Sequence, residues 1–277
     1  MKKILTIFAA ALMAVCSANA GTITKSFSNL GEFSGIQVGN SFKATIIQGE
    51  AYTATVTIDT DYEVFLDVKV IGTVLYVRLK DVPKKLRNLA KKTMEVTICT
   101  PTLNRLYLTG AASVRSDAKW ENPMERFTLN LKGASKAERL HIEGPELKAE
   151  ISGASNCGVI GDFGSVELLL EGASAATVSG NCNDITLTAN GASKATIIGE
   201  AESIDADCHG SSRLDGSSLA VDEAKIVCSG ASKATIEVNE VLDVELSGAS
   251  TCRYRTRNNM IRVIPTINRA SSLKRID

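Results

Sequence analysis

The chain has 277 residues, 44% of them hydrophobic and only 5% aromatic, and its 31 basic residues balance 31 acidic ones. A net charge of zero offers no global field to nucleic acid or to an anionic membrane surface. Two histidines and a single tryptophan leave little material for histidine chemistry or for aromatic stacking platforms.

Residues 1–20 read as a signal peptide. Lys2 and Lys3 precede an apolar run over 4–15, and Ala18-Asn19-Ala20 fits a small-residue cleavage pattern, so cleavage before Gly21 and export are expected. No later stretch is long and apolar enough to be a transmembrane segment. Residues 21–109 form a β-rich but less regular portion. Strands are predicted over 42–47, 54–58, 64–70 and 74–79, with turns at Gly49-Glu50 and Gly72-Thr73. The lysine-rich stretch 81–92 reads as a solvated excursion. This portion is expected to supply a cap and the first coils, because an open solenoid end exposes unpaired strand edges.

Over 110–277 a repeat takes charge. Gly-Ala-Ser or a near variant begins at Gly110, Gly133, Gly153, Gly172, Gly191, Gly210, Gly230 and Gly248, about nineteen residues apart. So short and steady a period means a solenoid. The residues two, four and six before each glycine from Gly133 onward are apolar, as in Val166, Leu168, Leu170 or Ile204, Ala206, Cys208, with mostly polar residues between. That alternation is a half-buried strand. A second inward row, mostly small, lies four residues after the glycine: Ala137, Cys157, Ala176, Ala195, Leu214, Ala234 and Cys252. Leu214 is expected to fill the space left where Ala189 and Cys208 narrow the first row.

Each repeat is then strand, glycine corner, strand and turn, with the corner glycines at positive φ. Gly161-Asp162, Gly180-Asn181 and Gly199-Glu200 mark second turns. The prediction is an all-β chain: a parallel β-helix of about eight regular coils spaced ~4.8 Å apart. It is right-handed by the preference of parallel crossovers. The corner serines are expected to hydrogen-bond neighbouring turns. After Ser250 the pattern decays, Arg269-Ala270-Ser271 reads as a degenerate ninth corner, and basic residues in 251–277 are expected to discourage end-to-end stacking.

The serial corners, together with the opening Phe33-Ser34-Gly35-Ile36-Gln37-Val38, resemble the bacterial head GIN domain family, described as auto-transporter adhesins. The resemblance runs from about Phe33 to about Tyr254. It implies a right-handed β-helical fold and a secreted setting, and it carries no catalytic residues.

Chemistry-bearing residues are sparse. Cys157, Cys208, Cys228 and Cys252 fall on inward positions and act as small hydrophobes. Of these, Cys208 and Cys228 stack in adjacent coils, where parallel side chains strain a bridge. No zinc spacing, phosphate loop or nucleophile–base–orienter set can be assembled, and no cofactor is expected. Two outward features remain. Asp205, Asp207 and His209 alternate on one outer strand, the kind of face on which β-helical polysaccharide lyases and hydrolases carry carboxylates and a metal (an analogy of fold). Lys194, Arg213 and Lys233, with Lys136 further along, form a row three residues after the glycine. Cations stacked at ~4.8 Å repel one another unless something answers them. An anionic glycan or a phosphate-bearing envelope polymer would do so. The expected function is that of a non-enzymatic exported β-helix, an adhesin-like binding or scaffolding protein of the cell envelope. The alternative is a polysaccharide-active enzyme working from the Asp205, Asp207, His209 face.

Overall fold

Alternation along the strands decides which side chains turn inward. Every residue two, four and six positions before the corner glycines from Gly133 to Gly248 is buried. The computed structural model describes residues 21–276 other than 90, 123, 258, 259 and 269. The segment 1–20 and the corner position Arg269 fall outside them. The strands join one continuous sheet wound on itself into a parallel β-helix. On one wall Leu170, Ala189, Cys208, Cys228 and Leu246 stack in register. On the facing wall Ala176, Ala195, Leu214, Ala234 and Cys252 do the same. Leu214 is 1% exposed, as the register requires.

The corner needs glycine for two separate reasons. Gly191 has φ 77, and a Cβ there would sit 2.7 Å from the carbonyl oxygen of Gly172. That same oxygen accepts a hydrogen bond from the Ala192 N–H at 2.7 Å. The stack therefore closes backbone on backbone, leaving no room for a side chain. The corner ladder starts one coil before the repeat is visible in sequence. Asn40 takes the corner conformation at φ 60, its carbonyl accepts from Ala111 N–H at 2.5 Å, and its Oδ1 accepts from Leu79 N–H at 2.7 Å. Asparagine is among the few residues besides glycine that tolerate this region.

The second turn differs from expectation: in several coils it is a bend within one strand. Lys136–Ile151, Lys194–Cys208, Arg213–Cys228 and Lys233–Leu246 each run unbroken from one wall to the next. Where glycine marks the bend, an asparagine or aspartate ladder accompanies it. Asp162 Oδ1 accepts from Asn181 N–H at 2.7 Å, and Asn181 Oδ1 accepts from Glu200 N–H at 3.1 Å. The serine expectation holds only in part. Ser155 Oγ accepts from Ser135 N–H at 3.2 Å and Ser250 Oγ donates to Cys228 O at 3.2 Å, both across to a neighbouring coil, whereas Ser135 Oγ donates within its own corner to Lys132 O and the buried hydroxyls of Ser174 and Ser193 have no partner.

The first coil pairs Gly35–Val38 with Arg105–Leu108, and Lys43–Gln48 with Ser113–Arg115. Beyond it the walls continue as a cap built largely from antiparallel strands. Val74–Leu79 extends the first wall and turns back as a hairpin with Leu66–Ile71. Met94–Thr100 extends the second wall, followed outward by Thr53–Asp59 and Thr22–Phe27. The single strand predicted over 64–70 is corrected here. Thr60–Phe65 forms a 3-10 helix, started by Asp59 Oδ1 accepting from Asp61 N–H at 3.2 Å, and the strand begins only at Leu66. Within that helix Tyr62 is buried, and its hydroxyl donates to Leu86 O at 2.9 Å, tying down the basic excursion.

At the opposite end Val263, Pro265 and Ile267 stack in register on the core residues Leu242, Val244 and Leu246. Ile267 is nevertheless 46% exposed, because no further described coil covers it.

Candidate functional site

The cation row is assembled as the repeat predicts. Lys194 pairs in register with Arg213, and Arg213 with Lys233, all on the outer side of one wall and all exposed. A groove of about 270 Å³ runs past Arg213, Lys233 and Arg253, with Asp215, Thr235 and Thr251 along it. One acid also lies in this groove, Asp215, whose Oδ1 accepts from Ser217 Oγ at 2.8 Å and which is in no ion pair with the row. Among the described residues no ion pair reaches Lys194, Arg213 or Lys233. Lys136 drops out of the row as an unanswered charge, since its Nζ lies 2.7 Å from Glu138 Oε1.

The Asp205, Asp207, His209 face does not come together as a metal centre among the described residues. Asp205 Oδ2 sits 3.4 Å from Lys225 Nζ on the next coil, and His209 Nδ1 is 2.6 Å from Ser229 Oγ. Among the described residues no three His, Cys, Asp or Glu side chains converge on a point that could hold a metal ion. Side chains that alternate along a strand stand too far apart to share a ligand unless a neighbouring coil adds to them, and here it adds a lysine.

The six described cysteines are free thiols, Cys208 and Cys228 among them. Hydrogen bonding to Cys228, with burial, pushes the Cys208 thiol well above its usual range. Burial pushes Cys157 and Cys252 up to about 12. These groups are protonated packing residues rather than nucleophiles.

A third feature went unseen in the sequence. A cavity of about 410 Å³ lies beside the first coils, where the chain has not yet settled into its period. Phe33 and Tyr52 meet edge to face in its wall, with ring centroids 5.3 Å apart. Glu32, Glu121 and Glu125 line it together with Asn104 and Asn122. The backbones of both asparagines are committed to the coils: Asn104 N–H donates to Ser34 O at 2.8 Å and Asn122 N–H to Glu143 O at 2.8 Å. Trp120, by contrast, is buried beside this region and gives its indole N–H to Ser116 Oγ at 3.0 Å, so it is core and not a contact surface. No periodicity announces the cavity, because its residues come from five separate non-repeating segments.

A parallel β-solenoid with grooves along its outer surface defines the class. The chain belongs to the family described as "Putative auto-transporter adhesin, head GIN domain", whose model matches residues 32–257. Three solved structures share the fold. A "putative adhesin" from Parabacteroides merdae ATCC 43184 is 16% identical, with 94% of this chain and 98% of that chain covered and a TM-score of 0.68. A "Putative lipid binding protein" from Parabacteroides distasonis ATCC 8503 is also 16% identical, covering 94% and 98%, with a TM-score of 0.61. A "putative adhesin" from that same organism is 16% identical over 92% and 97%, with a TM-score of 0.62. At such identity the likeness is one of fold. Comparison with curated proteins finds no match. Among the described residues no helix is long and apolar enough to cross a membrane.

Proposed function

We propose that the protein is an exported, non-enzymatic binding protein of the bacterial envelope that holds a polyanion along its Lys194, Arg213, Lys233 row. The observation carrying this reading is that three cations stacked in register on consecutive coils lack any ion pair among the described residues, while several other coil cations are answered by an acid on a neighbouring coil. Lys148 Nζ, for example, lies 2.7 Å from Glu167 Oε1 on the following coil. Coils ~4.8 Å apart present their charges as a regular ladder, which suits a polymer bearing anions at intervals better than a single small ion. Export is supported by the signal-like segment 1–20 and by the family's description as adhesins.

The test is binding of the mature chain to polygalacturonate and to inorganic polyphosphate, with a neutral glucan as control. Arg213→Ala combined with Lys233→Ala should weaken binding to a polyanion at least about tenfold, and added salt should weaken it in the parent. The two polyanions distinguish carboxylate from phosphate recognition. Polyanion binding untouched by the double substitution overturns the proposal. So does cleavage of an acidic polysaccharide that is lost in Asp207→Ala and kept in Arg213→Ala.

A further inference from the structure

The wall that carries the cation row bears a second groove, of about 540 Å³, on the coils before Lys194. That volume falls within the ~300–1,000 Å³ typical of small-molecule sites. The groove forms where one strand bulges. Ala137 pairs in register with Cys157 and Leu140 with Val159, so Glu138 and Arg139 both stand opposite Gly158. Gly158 makes room for the extra residue, since a Cβ there would sit 3.3 Å from Arg139 N. The bulge holds Arg139 at φ 38, in the left-handed region that favours glycine. Strained residues cluster at ligand clamps, and the one strained here carries a charge. Arg139 is exposed and in no ion pair among the described residues. Lys136 and Glu138 beside it answer one another at 2.7 Å, so Arg139 supplies the net charge of the lining.

The remaining lining narrows the kind of anion. Asn156 and Thr177, both exposed, and half-buried Ser179 have side chains that make no hydrogen bond among the described residues. An amide and two hydroxyls both donate and accept, which suits sugar hydroxyls, whereas phosphate oxygens only accept. Ile160, Ser179 and Ile198 stack in register alongside, and Ile198 is 40% exposed. Such aliphatic side chains can cover the apolar face of a sugar ring and offer nothing to a phosphate chain. The groove also lies in line with the row. Asn156, Ala175 and Lys194 stack in register, as do Gly158, Thr177 and Thr196, so the side chains between are short and uncharged. Arg139 stands three coils before Lys194 and five before Lys233, roughly 14 Å and roughly 24 Å at ~4.8 Å per coil.

We infer that Arg139 and this groove form a second subsite for the polymer held by the Lys194, Arg213, Lys233 row, and that the polymer is a polysaccharide whose rings carry carboxylates. The subsite rests on the polyanion reading of that row and lengthens its track along the same wall.

The experiment is calorimetry of the mature chain with a length series of oligogalacturonates, with polygalacturonate and with inorganic polyphosphate. Affinity is expected to rise with length until the sugar chain spans the roughly 24 Å from Arg139 to Lys233. Arg139→Gly should weaken the long oligomers about tenfold and the shortest oligomer that binds by less than about twofold. Glycine is at ease at φ 38, so this substitution removes the guanidinium without straining the bulge. Arg139→Asn, which also tolerates this region, is the second variant. Arg213→Ala combined with Lys233→Ala should weaken every length. If both Arg139 variants bind every length as the parent does while that double variant loses binding, the row stands and the second subsite is overturned. Polyphosphate bound more tightly than polygalacturonate overturns the assignment of a sugar polymer. A parent that binds neither polymer overturns the subsite and the row together.

Discussion

Placing a methyl group at one corner tests the backbone stack directly. In Gly191→Ala the new Cβ would sit 2.7 Å from Gly172 O and 3.3 Å from Gly172 Cα. Two costs add. Holding an L-residue at φ 77 costs about 1–2 kcal/mol. Relieving the contact pushes apart the coils that the Ala192 N–H to Gly172 O hydrogen bond holds at 2.7 Å, which weakens a bond worth about 1 kcal/mol. The expected destabilisation is thus about 2–3 kcal/mol, and Gly191→Val should lose more because a β-branched residue fits this region worst. Two controls separate the terms. Gly72 has φ 61 but open space around it, so Gly72→Ala should show the conformational cost alone, about 1–2 kcal/mol. Gly31 has neither constraint, and Gly31→Ala should change stability by no more than about 0.5 kcal/mol. Urea denaturation read at a shared slope gives the comparison. A Gly191→Ala protein no less stable than Gly72→Ala would refute the close-approach argument, and one matching Gly31→Ala would refute the corner altogether.

Leu214→Ala should cost about 2–5 kcal/mol, since it empties a fully buried position in a row otherwise lined by alanine and cysteine, and Cys208→Leu should restore part of that loss. Strictly additive effects in the double variant would show that the two side chains share no cavity. Cys157 makes stability depend on pH at the alkaline end. Its thiol moves from 9.0 in the open chain to about 12 in the fold because burial disfavours the thiolate, so the folded state retains a proton that the unfolded state releases. That contribution is complete below pH 9.0 and is lost as pH rises toward about 12. Cys157→Ala, which continues the column of Ala137 and Ala176, should therefore fall less steeply in melting temperature between pH 8 and pH 11 than the parent. Parallel curves would contradict the burial assignment.

The repeat was readable because a solenoid writes its geometry into every coil. Each corner glycine reports the same backbone contact, and each inward trio reports the same wall, so chance agreement is eliminated by repetition. Where the chain does not repeat, that averaging is lost. Asn40 holds the first corner, but one asparagine after Gly39 has nothing to be aligned with in the sequence. It can stand there because no earlier corner lies beneath it to collide with its Cβ, whereas Gly110 already meets Asn40 O at 2.6 Å. The antiparallel strands of the cap carry the same alternation as parallel ones, so residues such as Ala54, Val56 and Ile58 identified a strand without revealing its direction. The cation row was legible because it obeys the period. The cavity was not, because Glu32, Tyr52, Asn104 and Glu125 meet only through the path of the opening turns.

Stacking like on like is the electrostatic weakness of a β-helix, and the coils deal with it by alternating what they stack. Lys119 in one coil meets Glu143 in the next at 2.9 Å, Lys148 meets Glu167 at 2.7 Å, Arg126 meets Glu146 at 2.7 Å, and Asp205 meets Lys225 at 3.4 Å. Asn130 Nδ2 likewise donates to Glu150 Oε2 at 2.8 Å across the same kind of step. Each pair lies on the outer face and contributes little to stability, yet each removes a repulsion that identical neighbours would create. Lys194, Arg213 and Lys233 depart from this habit in three consecutive coils, where they stack in register on one wall. A fold that could place an acid at Arg213 as readily as it places Glu167 beside Lys148 instead keeps three positive charges in line. Self-repulsion of that kind brings no advantage to the fold, and under the proposed function the compensation comes from outside the chain, from a polyanion lying along the coils at the spacing they impose.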